Sequence, residues 1–163
     1  MSEKVKKMEN MAKMEEDYAL SLASSVKGLG NLGIRELLRS IASDSQKHAG
    51  FYKTIAGILK GESQPIVEEE FEVLEETIKE HIETERQMLR EVKQLLRDEK
   101  DDRVKRLLTE IHADETQHHA LMKNLLEIVI KRETIFEEHI WDMLWKDVPT
   151  HGAPEEAITG GPP

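Results

Sequence analysis

The 163-residue sequence predicts an all-α fold: a four-helix bundle built from two repeated helical hairpins, with a short helical extension after the fourth helix. Three observations predict it. Charged residues make up 34% of the chain, against only three Phe, two Tyr and two Trp, a usage that suits long helices rather than sheet. Four segments carry apolar residues at three- and four-residue spacing. The breaks between those segments are supplied by Gly, Pro and Asp.

The first segment, about 3–27, places Val5, Met8, Ala12, Glu15, Ala19, Leu22 and Val26 on one face, and "GLGNLG" (28–33) stops it. The second, about 32–60, has Ile34, Leu37, Leu38, Ile41, His48, Phe51, Ile55 and Leu59 on its stripe. "GESQP" (61–65) follows, with Ser63 suited to an N-cap and Pro65 to a first helical turn. The third, about 66–97, carries Phe71, Leu74, Ile78, Ile82, Glu85, Met88, Val92 and Leu95. "RDEKDD" (97–102) is a polar turn whose aspartates suit the cap of the fourth helix. That helix, about 103–131, runs through Val104, Leu107, Ile111, Glu115, His118, Met122, Leu125 and Val129. "ETIFEEHIWDMLW" (133–145) is a further amphipathic piece, so the bundle domain is expected over 1–148. Residues 149–163, rich in Pro and Gly, read as a flexible tail.

A shift of 70 residues aligns the two halves. "IASDSQKHAG" (41–50) falls on "IHADETQHHA" (111–120), setting Asp44 on Asp114, Ser45 on Glu115 and His48 on His118, while Glu15 falls on Glu85. Each half is thus a hairpin with a Glu midway along its first helix and a polar residue–x–x–His group midway along its second. Face-to-face packing of two such hairpins would gather Glu15, His48, Glu85, Glu115 and His118 at one level. Unpaired buried carboxylates cost several kcal/mol each. A divalent cation removes most of that cost by taking carboxylate oxygens and neutral imidazole nitrogens as ligands.

Composition narrows the classes further. A net charge of −10, with no basic patch beyond the short "EKVKKM" at residues 3–8, argues against a nucleic-acid partner. Without cysteine, the sequence has no disulfide, thiolate nucleophile, zinc ribbon, iron–sulfur cluster or rubredoxin-type iron site. No apolar run reaches the length of a membrane span, and no signal-peptide core is visible, so a cytoplasmic protein is expected.

The order Glu, Glu-x-x-His, Glu, Glu-x-x-His on successive helices is the ligand pattern of ferritin-like di-iron carboxylate proteins. Over roughly residues 5–130 this chain resembles that superfamily, nearest in helix length to the rubrerythrin type. The resemblance implies two metal ions, iron with manganese or a mixed pair as alternatives. It makes Glu115 the bridging ligand, Glu15 and Glu85 terminal ligands, and His48 and His118 the nitrogen donors. It implies an oxidase, ferroxidase or peroxidase reacting with dioxygen or peroxide, supplied by an external electron donor, and a homodimer. A non-catalytic iron-storage or metal-sensing bundle is the alternative of another class.

The pattern departs from the family in two places. Ser45 stands where the family has its second bridging Glu, and serine cannot bridge two cations. Asp44, four residues before His48, and His81, four before Glu85, are the candidates to replace it; otherwise the site has one bridging carboxylate and a weak or missing second metal. The other departure is the connection between helices two and three. Ten residues separate Lys60 from Phe71, about 35 Å when fully extended, barely a crossover along the bundle. A helix starting at Pro65 would instead favour an up-down-up-down bundle similar to hemerythrin-like proteins, whose His-x-x-x-Glu element His81 and Glu85 match, though their His-x-x-x-His is missing.

Overall fold

The computed structural model describes residues 2–131 and 142–149. Among them are four long helices, α1 (Glu3–Ser25), α2 (Leu32–Lys60), α3 (Glu68–Asp98) and α4 (Asp102–Lys131), and no strand. The chain parts into two compact units, Met1–Gln64 and Pro65–Pro163, each built on one helical hairpin: α1 packs on α2, and α3 on α4.

Local chemistry fixes the ends. Ser2 Oγ accepts the Val5 N–H at 3.3 Å, and Asn31 Oδ1 accepts the Ile34 N–H at 3.0 Å, each satisfying a donor with no partner inside its helix. Gly61 ends α2 in the left-handed conformation (φ 73°), which a side chain would oppose. The third helix starts later than Ser63 and Pro65 suggest. It begins at Glu68, where three successive glutamates face the positive helix end and the Glu70 carboxylate accepts the Val67 N–H at 3.0 Å. Asp101 opens α4 as expected: its Oδ1 accepts the Arg103 N–H at 2.9 Å, and Arg103 holds its carboxyl well below the usual range.

The first hairpin closes over small residues. Val5, Ala12, Ala19 and Val26 are buried along α1 and its end, and Ala42, Ser45, Ala49 and Ala56 along α2. The inward face of α2 is therefore not the stripe of larger apolar residues. Ile34, Leu37, Ile41, Phe51, Ile55 and Leu59 are 38–56% exposed, because an Ala/Val seam brings two helices close and leaves no room for bulkier side chains.

The second hairpin has a conventional core of Phe71, Ile78, Ile82 and Val129, flanked by Ile66, Leu74, Met122, Leu125 and Leu126. Nearer the α3–α4 turn, Val92 is buried and Leu89, Leu96, Leu108 and His112 are half-buried. Met88, Leu95, Val104, Leu107 and Ile111 are exposed there, one residue off the inward stripe. Of the extension expected at 133–145, all but 142–145 lies outside the described residues, and those four are helical. The Asn124 side-chain amide donates to the Leu144 and Lys146 carbonyls at 2.9 and 2.8 Å, tying that turn to α4. The tail expected at 149–163 lies, apart from Pro149, outside the described residues. Among the described residues no helix is long and apolar enough to cross a membrane.

Candidate metal centre

Glu85 follows Ile78 and Ile82 along the inward face of α3, and Glu115 and His118 sit one turn apart on α4. These three converge: one ligand atom from each lies within 4.8 Å of the others. The Glu85 side chain is only 12% exposed, and its Oε2 is buried without a hydrogen bond. Burial pushes the Glu85 carboxyl above its ordinary range; the Glu115 charge adds to this, while His118 and His81 oppose it. Two carboxylates at this separation repel by on the order of 3 kcal/mol at an effective dielectric near 20. A divalent cation between them turns that repulsion into attraction and takes up the unsatisfied oxygen.

His119 completes the surroundings of Glu85. Its Nδ1 lies 3.8 Å from Glu85 Oε2 and is buried without a hydrogen bond. Burial, reinforced by the charges of Lys123 and Arg86, lowers the basicity of its ring. His112 Nε2 is likewise buried without a hydrogen bond. The sequence stripe runs through Glu115 and His118 and passes by both histidines. The signal that finds them is position: His112 and His119 lie three before and four after Glu115, so they share its side of the helix.

In the first hairpin, His48 Nδ1 lies 3.6 Å from Glu15 Oε1, so the expected pair does meet. Ser45 is 6% exposed and sits in the α1–α2 seam. Asp44 is paired with Lys47 at 2.9 Å on the exposed side of α2. His81, also exposed, donates through Nδ1 to the Thr77 carbonyl at 3.1 Å and is not among the three converging groups. Glu16 and Glu83, neighbours of the two single-Glu positions, turn outward to Lys53 and Arg86.

The second hairpin thus fits a cation: two carboxylates, an imidazole and a buried oxygen lacking a donor. The first offers one carboxylate and one imidazole. A sequence model of one protein family, Rubrerythrin, matches residues 13–126, more than half of the chain. That span contains Glu15, Asp44, Ser45, His48, His81, Glu85, Glu115 and His118. No curated protein and no solved structure gives a significant match.

Proposed function

The chain belongs to the Rubrerythrin family, and from that premise we propose that it is an iron-dependent oxidoreductase acting on dioxygen or peroxide. The observation that carries this reading is the convergence of Glu85, Glu115 and His118, one ligand atom of each within 4.8 Å of the others, with one Glu85 oxygen buried and lacking a hydrogen bond. Iron held there supplies the capacity to pass electrons to an oxygen species.

The chain's own residues set the conditions. Glu85 and Glu115 are hard anionic donors that tolerate a change in metal charge by changing denticity. Three protein ligands leave positions open to a small substrate. The Glu85 side chain is only 12% exposed, which limits water on its side of the site, while His118 lies open to solvent. His119, whose basicity burial lowers, stands 3.8 Å from Glu85 Oε2, where burial disfavours a positive charge that would compete with the cation. With no cysteine in the sequence, reducing equivalents come from a separate donor. Manganese in place of iron, and a homodimer as the working form, belong to the same proposal.

The test is an anaerobic titration with ferrous iron, followed by absorption spectra on adding oxygen or peroxide. Growth of ferric absorption faster than in protein-free buffer is the expected result. Iron that binds but turns over neither oxidant would instead support a storage or sensing role.

A further inference from the structure

We propose that the two halves of the repeat bind metal unequally: the second hairpin takes one divalent ion tightly, and the first contributes only a weak second position. This inference rests on the metal-binding reading above and refines it.

The argument comes from comparing the seams position by position. Hairpin two lines its seam around the ligand level with His112, Glu115 and His119; the shift of 70 places Ala42, Ser45 and Ala49 at those positions in hairpin one. All three of the latter are buried, at 6%, 6% and 0% exposure. The loss therefore extends beyond one ligand to the whole polar layer around it. On the opposite helices, Ile82 and Leu89 correspond to Ala12 and Ala19, so the first seam is narrowed as well.

What remains in hairpin one is a two-donor set, Glu15 and His48; both hairpins' imidazoles are exposed, so the number of donors makes the difference. In hairpin two three donors meet, and one carboxylate oxygen is buried with no hydrogen bond to satisfy it without a cation. Asp44 does not restore the count, since it is engaged with Lys47. Losing one carboxylate donor together with its orienting neighbours weakens a site by about a hundredfold.

Manganese(II) binding to the full chain, followed by loss of the free-ion electron paramagnetic resonance signal, tests this. One equivalent should bind tightly and show an uncoupled spectrum, and a second should bind about a hundredfold more weakly. Glu85→Gln should remove the tight equivalent. Glu15→Gln should leave it within about twofold and abolish the weak one. Ser45→Glu should strengthen the second equivalent at least about tenfold; circular dichroism identifies the folded variants, and the two Glu→Gln variants decide the matter if this one does not fold. Two equivalents of equal affinity, a spin-coupled pair at the first equivalent, or a Glu15→Gln defect as large as that of Glu85→Gln would overturn the inference and leave the metal-dependent reading standing. Absence of binding by both manganese and ferrous iron would overturn that reading too.

Discussion

Glu85 carries opposing demands. Burial and the nearby Glu115 both raise its carboxyl pKa from the ordinary value of 4.5, so the folded, metal-free chain holds that proton more firmly than the unfolded chain does. Between 4.5 and its raised native value, the native state therefore binds more protons than the unfolded state, and stability falls as pH rises through that window and levels off above it. Glu85→Gln should flatten that fall and raise the melting temperature of the chelator-treated protein at neutral pH, while removing metal-dependent stabilisation. Thermal unfolding across pH, with and without ferrous iron, checks both halves; a variant less stable than the parent without metal would contradict the burial argument. His119 behaves in the opposite sense. Its pKa is lowered from 6.5, so the unfolded state binds the extra proton, and stability is lost as pH falls below 6.5. His119→Gln should reduce that loss in the metal-free protein, read as a shallower dependence of unfolding midpoint on pH.

At the scale of elements, the helix spans were legible because capping groups and glycines are local signals. Ser2, Asn31, Gly61 and Asp101 each act within one turn of where they stand. The start of α3 was not, since Ser63 and Pro65 are good helix starters and the acidic run 68–70 with Glu70 reaching back simply outweighs them. The inward face of α2 departs from its apolar stripe for a different reason. A hydrophobic stripe ranks residues by size and apolarity, whereas the α1–α2 seam selects for smallness, so Ala42, Ala49 and Ala56 are buried and Ile41, Phe51 and Ile55 are exposed. The two seams should be sensitive to opposite changes in side-chain size. Ala49→Leu, at a site with no exposed surface, overpacks the first hairpin and should cost about 1–3 kcal/mol. Ile78→Ala, at 3% exposure, leaves a void in the second and should cost about 2–5 kcal/mol. Chemical denaturation of each variant measures both, and an unchanged midpoint for Ala49→Leu would mean that the small-residue seam is not tight.

For the whole molecule, the repeat was the most informative part of the sequence. Glu15 meets His48, and Glu85 meets Glu115 and His118, at the spacings the alignment of halves suggests. What it could not convey is which neighbours close around each group, because His112 and His119 acquire their burial only when α4 packs on α3. If the carboxylate group holds iron, ligand binding to the native state alone should stabilise the protein by about 2.7 kcal/mol at a free concentration a hundred times the dissociation constant. Calorimetry should then show a rise in melting temperature on adding ferrous iron anaerobically, reversed by a chelator.

The alanine seam has one more consequence, in the rhythm of local opening. A buried alanine contributes a single methyl where Ile82, Leu89 or Leu126 contributes four carbons, and each buried methylene is worth roughly 0.8 kcal/mol. The first hairpin is thus the more weakly fastened cooperative unit of the two. Backbone amides of α2 should accordingly exchange with deuterium well before those of α3, in metal-free protein and more so once metal has tightened the second hairpin alone. Native-state exchange read by mass spectrometry measures this directly, and equal protection of α2 and α3 would mean that the two hairpins open as one.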